Sequence, residues 1–142
     1  MKQNRLSLVS IFTMMGVFAC SSAFAMSAGP LPPEKTQGQI TYITGGVGSD
    51  EAAAVKQAES KYPLSLEFVQ HAKPRDEFLA NVDVTIRDQA GKTALKTTSD
   101  GPFLLAKMPN GKYTVTAEEE GKTITRHFTV AANKPQHLVL AW

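Results

Sequence analysis

A chain of 142 residues, 42% hydrophobic and 20% charged, has ordinary globular composition and room for one domain with a small annex. Its formal charge of +2 vanishes once Lys2 and Arg5 are set aside with the leader described next, because the remaining basic residues then equal the 13 acidic ones. No run of Lys and Arg offers the clustered basic face that a phosphate backbone requires, so nucleic acid is excluded as a partner.

Residues 1–25 read as a secretory signal peptide. Lys2 and Arg5 form a charged start, residues 6–19 are apolar but for Ser, Thr and Gly, and Ser22-Ala23-Phe24-Ala25 places small residues before a cut between Ala25 and Met26. The apolar run is shorter than the roughly 20 residues that span a bilayer, so the mature chain is expected to hold no transmembrane segment. Cleavage also removes Cys20, the single cysteine, and with it disulfides, thiol chemistry and thiolate metal sites. The alternative is lipid attachment at Cys20, from which bulky Phe18 departs, since small residues precede a lipidated cysteine. The expected location is the periplasm or the medium outside the cell.

Residues 26–38 carry Pro30, Pro32 and Pro33 with little apolar content and read as a flexible tether. Residues 39–75 read as a strand-helix-strand unit. Ile40, Thr41, Ile43 and Thr44 surround Tyr42 in the first strand, and Gly45-Gly46-Val47-Gly48 turns the chain into a helix over about residues 50–61. Ser49 is the expected N-cap, with Asp50 and Glu51 where the helix dipole favours negative charge. Ala52, Val55, Ala58 and Tyr62 should face the sheet, and Pro63 ends the pattern. Leu64, Leu66 and Phe68 alternate with Ser65 and Glu67 in a second strand. The glycine turn lacks the third glycine of a dinucleotide fingerprint and the Gly-Lys-Ser/Thr of a P-loop. Asp50 and Glu51 would repel an anion there, so a plain tight turn is expected.

Residues 71–77 are polar, contain Pro74 and lead into a β-sandwich over residues 76–142. The stretch 81–115 reads as four short antiparallel strands joined by tight turns at Asp88-Gln89-Ala90-Gly91, Ser99-Asp100-Gly101-Pro102 and Met108-Pro109-Asn110-Gly111. The inward candidates are Val82, Val84, Ile86, Leu95, Phe103, Leu105, Tyr113, Val115 and Ala117. Glu118-Glu119-Glu120-Gly121 then makes a solvated hairpin end. Ile124, Phe128 and Val130 line a further strand, opposite Thr125, His127 and Thr129, and Leu138, Leu140 and Trp142 line the last. Six strands follow Asn81, at intervals of about ten residues, the spacing of a sandwich.

Residues 81–142 resemble a carboxypeptidase regulatory-like domain, the transthyretin-type or prealbumin-like sandwich. The resemblance rests on the alternation from Val82 to Gly91, on Thr97-Thr98-Ser99-Asp100-Gly101-Pro102-Phe103 and on Met108-Pro109-Asn110-Gly111-Lys112-Tyr113. Thr98 stands where the family has Asp, and Met108 where it has Leu. These are turn devices, in which Pro109 sets the corner and Gly111 frees the backbone, while Phe103 and Tyr113 fill the core. Such sandwiches usually have seven strands, so residues 64–70 are expected to supply the missing one by sharing hydrogen bonds with the 76–142 stretch. The implied fold class is mainly β: a prealbumin-like antiparallel sandwich with a small N-terminal strand-helix-strand unit. The whole also resembles small periplasmic proteins of Gram-negative bacteria, a likeness that brings no activity. Transthyretin-related hydroxyisourate hydrolases end in Tyr-Arg-Gly-Ser, whereas this chain ends Leu138-Val139-Leu140-Ala141-Trp142.

No residue pattern assembles a catalytic or metal site. His127 and His137 are expected on adjacent strands and would give at most two of the three or four ligands a metal needs. No nucleophile elbow exists among the Ser and Thr residues. No cofactor is implied. Tyr42 and Trp142 are the ligand-contact candidates, as sugar-stacking platforms, with core packing as the plain alternative. The expected role is therefore a non-enzymatic module that binds or supports another envelope protein through a sheet edge or loops. A carbohydrate or envelope-polymer module is the second reading, favoured by exposed aromatics on one face. A hydrolase is the third, favoured by clustered polar residues in a pocket.

Overall fold

The computed structural model describes residues 29–142; the leader, Cys20 and the cut between Ala25 and Met26 lie outside them. The described elements are β1 (Lys35–Gln37), β2 (Ile40–Gly45), α1 (Ser49–Ala58) with a 3-10 turn (Glu59–Lys61), β3 (Leu64–Gln70), β4 (Glu77–Phe78), β5 (Asp83–Asp88), β6 (Thr93–Thr98), β7 (Phe103–Lys107), β8 (Gly111–Glu119), β9 (Lys122–Val130) and β10 (Gln136–Ala141). They form a mainly-β sandwich. One sheet runs β1-β2-β7-β3-β10, with β4 beside the end of β3, and the other runs β6-β5-β8-β9.

The expected link between β3 and the later strands is present. Leu64–Glu67 pairs with β7, and Leu64–Val69 pairs with β10. Strand β2 also pairs with β7, so residues 39–75 and 76–142 share one sheet, and the border at residue 75 is no break in the hydrogen bonding. Two expectations are corrected. The β3–β10 pairing is parallel, in an otherwise antiparallel fold. The stretch 81–115 does not stay in one sheet, because β7 leaves it for the other. The physical reason is that Phe103, Leu104, Leu105 and Ala106 are all buried, which requires a strand covered on both faces.

Coverage of that second face comes from α1. Leu66, Phe68, Val84, Ile86, Leu95, Leu104, Val115 and Leu140 fill the space between the sheets. Ile43, Val55, Ala58, Tyr62, Phe103 and Leu105 form a separate layer beneath the helix. Phe103 and Leu105 therefore belong to the helix layer rather than to the sandwich interior, while Tyr113 belongs to the interior as expected. A ten-residue helix is marginal by itself in water. Burying a side chain such as Phe103 contributes about 1.5–3 kcal/mol, so packing holds the helix in place. Its N-cap is Gly48 at φ 85, without a side-chain cap bond, and not Ser49, whose Oγ turns to Asp50. The sharp entry needs a positive φ that glycine adopts without strain. Glu51 accepts a hydrogen bond from the Gly46 N–H at 2.7 Å and ties the turn to the first helical turn.

The segment read as a flexible tether is docked over its described part, residues 29–38. The Gly29 N–H donates to the Asp50 carbonyl, and β1 pairs with β2 in antiparallel register. Glu34 accepts hydrogen bonds from the Tyr62 hydroxyl at 2.8 Å and from Lys107 Nζ at 3.1 Å. Proline content is compatible with an extended edge segment as well as with a linker, and these side-chain partners decide for the former.

Candidate interaction edge

Each sheet of a sandwich has two edges, and an edge strand exposes unpaired N–H and C=O groups unless something blocks them. Of the three edges other than β10, one is short and two carry Lys or Arg and have part of their backbone engaged. Strand β1 is only three residues long. On β6, Gln37 takes both backbone groups of Lys96, accepting from its N–H at 2.7 Å and donating to its C=O at 3.2 Å. On β9, the Arg126 guanidinium folds back onto the Thr125 carbonyl at 3.0 Å, and the Trp142 indole N–H donates to the Lys122 carbonyl at 2.9 Å.

Strand β10 is different. The Gln136 N–H bonds the Pro63 carbonyl, and the Trp142 N–H bonds the Val69 carbonyl. Both point toward β3, and the register between them is unbroken. The alternation of a strand then aims the backbone groups of His137, Val139 and Ala141 away from β3, toward the open side. Among the described residues no side chain hydrogen-bonds to them. His137 and Val139 are exposed, Val139 at 49%, and the strand contains no Lys, Asp, Glu or Pro that would discourage pairing.

The outer side of β10 is anchored by a polar cluster that sequence reading missed. His137 Nδ1 lies 3.0 Å from Ser65 Oγ, its Nε2 lies 3.5 Å from a Glu67 oxygen, and its Nδ1 lies 3.8 Å from Glu59 Oε2. The other Glu59 oxygen is buried without a hydrogen-bond partner. These are the residue types of an acid-base-nucleophile set, but Ser65 is only 2% exposed, so a substrate has no line of attack on its hydroxyl. What the cluster does is hold β10 against β3 and the 3-10 turn. The in-register pair His137 and Ser65 comes from strands far apart in sequence, and Ser65 sits inside an apolar alternation, so no local signal marked it.

The sequence-derived candidates are not brought together. Tyr42 is buried at 6% in the sandwich interior, and its hydroxyl donates to Thr97 Oγ1 at 3.3 Å; its ring offers no platform. Trp142 is half-buried against the interior at the far edge, with its indole N–H engaged on β9. His127 and His137 are not on adjacent strands, because β9 and β10 belong to different sheets. His127 bonds Thr114 instead, at 2.8 Å, and His71 bonds Asp76.

Two titratable groups record how firmly the N-terminal segment is held. Burial, then the hydrogen bond to Glu34, pushes the Tyr62 hydroxyl up to about 12. Glu34 is held below the usual carboxylate range, first by the Tyr62 hydroxyl and then by Lys107. Among the described residues no helix is long and apolar enough to cross a membrane.

Two packed sheets, with one helix covering part of an outer face, make this a β-sandwich domain protein. The chain belongs to the Rhizobiales growth-associated tandem repeat domain family, whose model matches residues 64–141, more than half of its length. The matched segment starts on β3 and stops on β10, which are hydrogen-bonded neighbours; β1, β2 and α1 are additions before it. Among solved structures the chain is similar to a minor pilin of the Gram-positive pathogen Streptococcus agalactiae, with 14% identity and a TM-score of 0.46 over 55% of this chain and 42% of that one. It thus spans less than half of that pilin. Among curated proteins none matches.

Proposed function

We propose that this protein is an exported, non-enzymatic module that binds or supports another protein of the cell envelope by adding a strand of that partner to the β10 edge. The observation that carries the reading is the open edge itself: three residues of outward backbone groups, uncharged and unblocked, in a molecule whose other edges are short or carry Lys or Arg. Main-chain bonding of this kind supplies affinity, and the alternating side chains supply selectivity. Export is supported by the charged start, apolar run and small-residue cut of residues 1–25. The turn motifs at 97–103 and 108–113 support placing the sandwich among carboxypeptidase regulatory-like domains of the periplasm. The growth association in the family's description fits a part in envelope construction.

The test is a cross-linking pull-down of the tagged protein from intact cells, with Val139→Pro and Val139→Thr beside the natural chain. Proline removes an N–H that faces away from β3, so the β3–β10 ladder keeps its bonds. Near-stoichiometric recovery of one envelope protein by the natural and Thr forms, lost with Pro, is the expected result. Recovery of no protein, or equal recovery with Pro, overturns the reading.

A further inference from the structure

The outward face of the β6-β5-β8-β9 sheet carries an ordered polar surface that the edge does not use. Because Val84, Ile86, Val115, Ala117, Phe128 and Val130 are buried, the residues between them point outward. The register sets Lys96, Thr85, Thr116 and Thr125 in one row across four strands, and Arg87, Thr114 and His127 in another. Lys112 and Thr129 follow as a third. Neighbouring strands lie about 4.8 Å apart, so each row presents side chains at regular spacing to anything lying across the strands.

Charge on this face is acidic at one end and basic at the other, with Lys96 beside the middle row. Asp83 and Glu118 are paired near the β8–β9 hairpin. Arg87 and Lys112 stand at the opposite end, and among the described residues neither has a carboxylate within ion-pair distance. They border a shallow hollow of ≈ 570 Å³, whose lining includes Thr114, His127 and Thr129. One acid, Asp88, also lines it, and its Oδ1 already accepts from the Lys92 N–H at 3.0 Å.

We infer that this end of the sheet binds an acidic polysaccharide. The Arg87 guanidinium and Lys112 ammonium take a carboxylate, and the threonine rows exchange hydrogen bonds with sugar hydroxyls along the flat face. A carboxylate matches Arg87 and Lys112. Hydroxyl donors and acceptors match threonine, which is both. Even with Lys96 on the same face, three cations are too few for a nucleic-acid backbone. The inference is independent of the β10 edge, which lies in the other sheet.

Affinity electrophoresis and calorimetry of the purified protein with polygalacturonate, dextran and polyglutamate test it. Polygalacturonate should bind, and neutral dextran and hydroxyl-free polyglutamate should bind at least about tenfold more weakly, a gap of roughly 1.4 kcal/mol. The double variant Arg87→Gln/Lys112→Gln should lose the polygalacturonate complex, and Thr116→Val/Thr125→Val should weaken it. All these residues lie on the outer face, so thermal melts should show folded variants. Three results overturn the inference: no binding of polygalacturonate at low salt, binding unchanged in the Arg/Lys variant, or polyglutamate binding as tightly.

Discussion

Gln37 behaves toward Lys96 as a strand would: its side-chain amide accepts from the Lys96 N–H and donates to the Lys96 C=O, at 2.7 and 3.2 Å. One residue of the N-terminal segment thereby engages the backbone of Lys96 on the β6 edge of the opposite sheet. Nearby, Asp100 on the crossing from β6 to β7 accepts from Lys35 and from Thr44, each at 2.7 Å. The β1 and β6 edges are thus joined, whereas β10 has no such partner among the described residues.

Replacing Gln37 by Ala should therefore do two things. Loss of two neutral, exposed hydrogen bonds should cost about 1 kcal/mol and lower the melting temperature by roughly 4 °C. It should also free the backbone of Lys96, so concentration-dependent association should appear in sedimentation velocity. An unchanged melt together with an unchanged sedimentation profile would show that the clamp neither stabilises nor guards.

The Lys35–Asp100 pair predicts behaviour in acid. Hydrogen bonds from Lys35 and then Thr44 hold the Asp100 carboxyl below its usual range, so its folded value lies under the unfolded one of about 3.9. The stabilisation is present above that unfolded value and is lost as pH falls through the folded one. Both side chains are substantially exposed, at 43% and 62%, and solvent screening limits the pair to under about 1 kcal/mol. The hydrogen-exchange protection of β1, taken relative to the intrinsic rate at each pH, should fall below about pH 4 before the sandwich opens. In Asp100→Asn that protection should be equally low at neutral pH and in acid; a β1 whose protection in the natural chain is unchanged in acid contradicts this.

Tyr62 predicts the alkaline side. Its hydroxyl is pushed up to about 12, by burial first and the Glu34 hydrogen bond second. A raised folded value means that its contribution is complete below the unfolded value of about 10 and is lost as pH rises from there toward the folded one. Ultraviolet titration should show one of the three tyrosines ionising near 12, and Tyr62→Phe should remove that step and flatten the alkaline loss of stability. A natural chain whose tyrosines all titrate together near 10 would contradict the assignment.

How much of this was legible depends on the range of the interaction. Strand alternation and turn residues are local, so β5 to β10 could be read from apolar spacing and from devices such as Asp88 to Gly91, where the Gly91 N–H indeed bonds the Asp88 carbonyl. The run Phe103-Leu104-Leu105-Ala106 held the signal for a doubly covered strand, yet the turn residues around it suggested a simple meander. Docking of residues 29–38 rests on Glu34 meeting Tyr62 and Gln37 meeting Lys96, contacts between segments that no spacing rule connects. The candidate edge was invisible for a related reason: whether a strand is an edge depends on sheet order, and β9 and β10 fall in different sheets although they follow one another. Tyr42 had to be held both as a ligand platform and as a core residue, because a strand tyrosine reads the same whether it faces solvent or an opposing sheet; its burial decides for the core.

Gly101 gives the sharpest test of how the two sheets are joined. It lies on the crossing from β6 to β7, and a Cβ placed there would sit 2.5 Å from both the carbonyl carbon and oxygen of Gly45. The obstacle is backbone at the end of β2, where no rotamer change can relieve it. Gly101→Ala must therefore push β2 away from the crossing, disturbing the Thr44–Asp100 bond and the β2–β7 register that ends at Gly45 and Phe103. Overpacking of this kind costs typically 1–3 kcal/mol, and urea denaturation should record a lower midpoint with an unchanged slope. Gly38→Ala supplies the contrast, since no atom lies within 4 Å of its added methyl and its cost comes only from a positive φ. A Gly101→Ala protein as stable as the natural chain would mean that the β2 end yields freely, and that the strand is not fixed by the crossing it touches.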